Sequence, residues 1–182
     1  MSEIKLAGIA QLARLYSDIA LLRRGPADVP ASTALLALTV LAYFAINVVM
    51  ALLLPAYFAQ ALGQLLVEIA FMFAWYRGVL LLAGYPERFL QTATSLFGYQ
   101  TLLAPLVIGG QTLYRLYGNE PAGQVPLSFF IIGLLAWTLA VSGRILRAAT
   151  QWPLFACVGM VVLQAIVELA LVMALFGAPQ EN

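Results

Sequence analysis

The chain has 182 residues, 63% of them hydrophobic and 9% charged, with nine Lys and Arg against eight Asp and Glu for a net charge of +1. A soluble domain of this size would be about half apolar and about a quarter charged, so this chain lacks the polar surface to cover a globule in water and belongs in a bilayer. It has no histidine and one cysteine, Cys157, which excludes bis-His haem, His-ligated zinc or copper, every His-dependent triad, thiolate clusters and an intrachain disulfide.

Residues 1–30 read as an amino-terminal unit outside the membrane. Lys5, Arg14, Asp18, Arg23 and Arg24 interrupt any apolar stretch and no small-residue cleavage site follows, so the segment is not a cleavable signal sequence. Ile9, Leu12, Tyr16 and Ile19 recur at helical spacing, with Gln11, Arg14 and Asp18 off that stripe, and Gly25-Pro26 supplies a stop. The pattern predicts an interfacial amphipathic helix. Two placements stay open: in the headgroup layer, or packed beneath the bundle as a cytoplasmic lid.

A helix needs roughly 20 mostly apolar residues to cross the hydrocarbon core with its backbone paired internally. Five stretches meet this over residues 31–178: Ala34 to Leu54, Tyr57 to Ala83, Ala93 to Leu116, Leu127 to Leu146, and Pro153 to Phe176. Pro55 separates the first two, and a short basic turn from Arg147 to Trp152 joins the last two. The third is the least apolar, diluted by Gln100, Pro105, Gly109, Gly110, Gln111 and Thr112, so a re-entrant segment is an open alternative there. Residues 179–182 form a tail. Five spans put Lys5, Arg14, Arg23, Arg24, Arg77, Arg88, Arg144 and Arg147 on one side and leave Arg115 on the other. Because cytoplasmic flanks retain basic residues, the predicted fold is all-α: a polytopic five-helix bundle with a cytoplasmic amino terminus and the carboxyl terminus on the opposite side.

Ionisable groups inside hydrocarbon are costly, so each must be paired, protonated or set against a wet cavity. Glu68 and Glu168 each end a Gln-x-x-Val-Glu string, begun by Gln64 in the second span and by Gln164 in the fifth. At i and i+4 the amide and carboxyl share a helix face. Counting from the outer ends sets both carboxyls roughly 12 to 16 Å deep on antiparallel helices. If they face one another, two carboxyls in low dielectric cannot both carry charge, and the pair would share a proton or bind a cation. Alternatively each Glu bonds its own Gln, or Asn47 or Gln100, as interhelical glue. Arg77 lies nine residues from Glu68, about 13 Å along the helix, and snorkels to headgroups instead.

Trp75, Tyr76, Tyr85, Tyr114, Tyr117 and Trp152 lie near span ends, as interfacial aromatic belts do. Gly109, Gly110, Gly133 and Gly159 suit close helix approach. No phosphate-binding glycine loop, paired soluble carboxylates or nucleophile elbow is present, and the basic residues are too scattered for a nucleic-acid patch. The residues therefore point to no enzyme, no cofactor and no metal site.

The third and fourth spans carry a further pattern. Gly98-Tyr99 followed by Pro105, then Trp137, the small-then-Arg144 exit of the fourth span and Trp152-Pro153 before the fifth, resemble the Yip family of five-span membrane proteins named for interacting with Rab-type GTPases. Gly25-Pro26 is a fainter echo, and the resemblance extends from Arg23 to Phe176. It implies a cytosolic amino terminus and five spans. The long polar amino-terminal region of the eukaryotic relatives is missing, and Arg23-Arg24 replaces their acidic-leucine-tyrosine sequence, so GTPase binding is not carried over. The Ala- and Leu-rich chain looks like the bacterial branch of that family, which implies an inner-membrane location.

Two functions are expected on this basis. One is a non-enzymatic membrane scaffold, organiser or partner subunit whose partners are the bilayer and a second copy or another membrane protein. The other is a small proton- or cation-coupled transporter or channel using Glu68 and Glu168, oriented by Gln64, Gln164 and Asn47, in the manner of transporters with inverted repeats. Both stand on an odd number of crossings. Tags at the two termini, probed with a membrane-impermeant protease on intact cells, are expected in different compartments, and finding both in the same one excludes five spans.

Overall fold

The structure is a computed structural model that describes residues 2–53, 58–118 and 121–177, and within them it is helical without strands. The helices are α1 (Ser2–Ala20), α2 (Thr33–Leu53), α3 (Phe58–Ala83), α4 (Phe89–Tyr117), α5 (Pro121–Thr150) and α6 (Leu154–Phe176), with 3-10 turns at Pro26–Asp28 and Pro86–Arg88. Four stretches are long and apolar enough to cross a membrane: Thr33–Leu52, Ala61–Ala83, Gly123–Thr150 and Leu154–Phe176. The expected break at Pro55 and the tail at 179–182 lie outside the described residues.

The least apolar of the long helices, α4, is one continuous helix of 29 residues, about 43 Å long. Pro105 lies inside it, and no turn interrupts it at Gly109-Gly110, so the structure has no re-entrant hairpin there. Part of its length is sheltered by neighbouring helices. The residues from Thr92 to Tyr99 are all buried, with α2 and α5 packed along it and α1 laid against it, so this stretch faces protein instead of lipid. Its hydroxyls are paired within the helix. Thr92, Thr94, Ser95, Thr101 and Thr112 each donate to the carbonyl four residues back, at 2.7 to 2.8 Å. Such bonds let a polar helix exist where water is absent.

Neighbouring helices run α2, α4, α5, α6, α3 and back to α2, a closed circuit of five. Short connections at 84–88 and 151–153 fold α4 back on α3 and α6 back on α5. At that end of the bundle Arg88 ties the connections together. Its guanidinium donates to the carbonyls of Ala148 and Ala149 at 3.3 and 3.0 Å, and lies 4.2 Å from the centre of the Tyr85 ring. The Tyr85 hydroxyl in turn donates to Gln151 at 3.0 Å, and Gln91 donates to the Val29 carbonyl at 3.0 Å. A cation on the last carbonyls of α5 satisfies acceptors the helix cannot satisfy itself and opposes its dipole.

Two boundaries differ from those the sequence suggests. The fourth apolar helix starts at Pro121 and continues to Thr150, so Arg147 belongs to its last turn and the turn itself shrinks to 151–153. Proline is preorganised for the first helical position, and the Thr150 hydroxyl, donating to Leu146 and accepting from the Trp152 amide, closes the other end. Likewise α1 stops at Ala20, ahead of Gly25-Pro26. The amide of Arg23 donates to the Asp18 carbonyl and that of Leu22 to the Ile19 carbonyl, which is the Schellman pattern. Leu22 takes the left-handed position at φ 61°, where a glycine usually sits. Gly25-Pro26 opens the following 3-10 turn instead, the Gly25 amide donating to Asp28 at 3.0 Å.

The stripe on α1 is turned toward the bundle. Tyr16, Ile19 and Ala20 are buried and Leu12 is partly so; the Ile9 side chain lies outside the described ones. Tyr16 shares a 2.7 Å hydrogen bond with Thr39 of α2, and Trp137 of α5 donates its indole N–H to the Ala20 carbonyl at 3.0 Å. Burial raises the Tyr16 hydroxyl pKa above its ordinary range, against the opposing pull of the Thr39 bond. Of the glycines suited to close approach, Gly110 lies against Phe130, whereas Gly109, Gly133 and Gly159 have open space around them. The contact that matters most is at Gly98, where an added Cβ would fall 2.3 Å from the Tyr16 ring. Gly98→Ala should therefore weaken the docking of α1 by about 1 to 3 kcal/mol, seen as a lower melting temperature in detergent and faster tryptic cleavage at Arg14 and Arg23. On a Tyr16→Ala background the same change should add little.

Candidate functional site

At mid-bundle the five helices α2 to α6 line an open-sided cavity of about 420 Å³. That is within the range of small-molecule pockets, roughly 300 to 1,000 Å³. Each helix contributes polar groups. From α2 come Tyr43 and Asn47, one turn apart; from α3, Glu68 and Tyr76; from α4, Tyr99 and Gln100; from α5, Thr138 and Ser142; from α6, Gln164 and Glu168. Leu103, Val107, Ile108, Leu135, Leu139 and Val161 complete an apolar side of the wall.

Glu68 and Glu168 thus line the same cavity, brought there from two helices that share an edge of the circuit. Their surroundings differ despite the shared sequence string. Glu68 accepts a hydrogen bond from the Tyr43 hydroxyl, and its expected partner Gln64 is not among the lining residues. Gln164, by contrast, lines the cavity beside Glu168, is 6% exposed, and has a carbonyl oxygen without a partner among the described residues. Asn47 also lines it, but its amide donates back to the Tyr43 carbonyl at 2.9 Å, which bends its role toward fixing Tyr43. Neither carboxyl pairs with Lys or Arg among the described residues, where the ion pair present is Arg24 with Asp18 at 3.3 Å. Arg77 points elsewhere, 5.7 Å from the centre of the Phe89 ring.

Sequence reasoning missed Tyr43, Tyr76, Thr138 and Ser142 in this wall. Tyr76 looks like a belt residue because it is near the end of α3, yet it is 2% exposed and faces the cavity. Tyr43 and Ser142 carry no motif. A signal existed for Tyr43: a tyrosine ten residues inside an apolar span is too deep for a headgroup belt, and it shares a face with Asn47 four residues on. Ser142 is detectable only through its partner, the Tyr99 hydroxyl, with which it forms a buried hydrogen bond linking α4 to α5.

The residues that suggested a family separate from the carboxyls in their roles. Gly98 receives Tyr16, Tyr99 bonds Ser142, Trp137 holds the end of α1, and Pro153 offers its carbonyl to the first amides of α6. Pro105 lies within α4, and Arg144 is exposed near the end of α5. Most of them therefore lock helices together. Chemically, the cavity offers oxygen acceptors and aromatic faces; among the described residues no three His, Cys, Asp or Glu side chains converge as metal ligands. Ser142→Ala should leave the Tyr99 hydroxyl buried and unpaired, costing about 1 to 3 kcal/mol in thermal unfolding, and adding Tyr99→Phe should recover part of that loss. Searched against family models, curated proteins and solved structures, the chain matches none.

Proposed function

We propose that the chain is a five-span integral membrane protein, Yip-like in fold, that works as a small proton- or cation-coupled carrier through its mid-bundle cavity. The observation that carries this reading is the convergence of Glu68 and Glu168, without a basic partner among the described residues, on one cavity walled by all five long helices. Intramembrane carboxyls facing a cavity are costly to keep and mark proton and cation paths in membrane proteins. The fifth crossing is supported by α4, which at 29 residues exceeds the roughly 20 needed and is covered by its neighbours from Thr92 to Tyr99. Odd crossing number, cytoplasmic amino terminus and a bacterial inner-membrane location follow from the distribution of basic residues and from the family likeness.

The alternative, a non-enzymatic scaffold or partner subunit assembling with a second copy or another membrane protein, draws on that likeness, on the short loops and on the lack of a catalytic constellation in the sequence. The residues that carry it hold helices together inside one chain, as Tyr99 and Trp137 do, so they support a shared fold more than a shared partner. The two readings separate in reconstituted liposomes. Under a pH or cation gradient the protein should carry a flux that Glu68→Gln and Glu168→Gln each reduce by about tenfold or more, with the melting temperature retained. Flux absent from the unaltered protein, or unchanged in both variants, leaves the scaffold reading.

A further inference from the structure

The cavity wall holds buried acceptors without partners among the described residues, and they specify a ligand. The Tyr43 hydroxyl is given to Glu68, one hydroxyl of the Tyr99–Ser142 pair to the other, the Thr138 hydroxyl to the Leu135 carbonyl at 2.8 Å, and an Asn47 amide N–H to the Tyr43 carbonyl. Two carbonyls are left over. Among the described residues the oxygens of Gln100 and Gln164 are buried without partners, and Gln164 is itself 94% buried by its 6% exposure. The carboxyl of Glu168 has no ion-pair partner among the described residues. An unpaired buried acceptor carries its full desolvation cost, so two on one cavity wall call for a molecule that brings N–H or O–H groups.

Charge and shape narrow the class. The carboxyls favour a cation over a neutral donor or an anion. A bare divalent metal ion needs six or more oxygens drawn tightly around it, whereas the cavity is about 420 Å³ and holds no cluster of three metal-ligating side chains among the described residues. A primary ammonium has three N–H donors, one each for Gln100, Gln164 and Glu168. The rings of Tyr43, Tyr76 and Tyr99 stand in the same wall and attract a cation by their faces, while the apolar side formed by Leu103, Val107 and Leu139 suits a hydrocarbon stem. We propose that the cavity binds a small amphipathic primary amine, its ammonium on Gln164, Gln100 and Glu168 and its apolar part against the α4 and α5 side chains. This rests on reading the cavity as a cation site and names the cation.

Calorimetric titration of the purified protein in lipid nanodiscs tests it, with empty nanodiscs subtracted. Benzylammonium is the probe and benzyltrimethylammonium, equal in charge and ring but without N–H donors, its counterpart. The expected result is that benzylammonium binds and its trimethyl analogue binds at least about tenfold more weakly. Gln164→Met should lower the benzylammonium affinity by a similar factor and leave that of the analogue unchanged. Equal affinities for the two probes, or no binding of benzylammonium, overturn the proposal with the unaltered protein alone, and an unaffected Gln164→Met overturns the role of Gln164. If Glu68 and Glu168 carry a proton or sodium flux while benzylammonium does not bind, the carrier reading survives and the amine does not. Discriminating amine binding together with flux indifferent to both carboxyls retains the binding site and removes the carrier.

Discussion

Hydrocarbon offers no hydrogen-bond partner, so every polar group this chain carries into the bundle has to find one there. The helix α4 is where that demand is concentrated and met. Its Thr and Ser hydroxyls return to its own carbonyls, its Tyr99 hydroxyl bonds Ser142 across to α5, and its buried segment is covered by α1, α2 and α5. A helix of that composition facing lipid would be unstable. Covered by its neighbours from Thr92 to Tyr99, it becomes the post on which they are arranged.

The same requirement makes the cavity conspicuous. In a bundle that pairs so many of its hydroxyls, the carbonyls of Gln100 and Gln164, without partners among the described residues, and the carboxyl of Glu168, without a basic partner among them, stand out at mid-bundle. Packing does not call for them, since leucine or methionine would fill the space at lower cost. Polar residues retained in hydrocarbon against that cost belong with ligand or ion pathways, which is why the cavity, and not the lipid-facing surface, carries the functional argument.

The amino-terminal helix adds a second layer of organisation. By placing Tyr16 on Gly98 and bonding Thr39 and Trp137, α1 joins α2, α4 and α5, the elements that supply Tyr43, Tyr99 and Ser142 to the cavity. Gly98 and Tyr99 are adjacent in sequence and face opposite tasks: one admits α1 from outside, the other secures α5 within. Docking of α1 and the geometry of the cavity wall are thus mechanically joined through a single turn of α4.

How much of this was legible beforehand depends on the kind of interaction. Apolar runs about 20 residues long are a local property, so the five long helices could be read from the chain to within several residues. The ends were less legible: α1 closes at Leu22 in a left-handed conformation, and α5 runs on to Thr150, because each end is set by carbonyl pairing that composition does not report. Which face of each helix meets which neighbour lay beyond the sequence. The strings at Gln64–Glu68 and Gln164–Glu168 are nearly identical, yet only the tertiary structure turns Gln164 into the cavity and leaves Gln64 out, gives Glu68 to Tyr43, and draws Tyr76 inward from its expected belt. Sequence determined that these groups lie on helices long and apolar enough to cross a membrane; the rotation of each helix about its axis, fixed by side-chain packing against neighbours distant in the chain, decided which of them share a space.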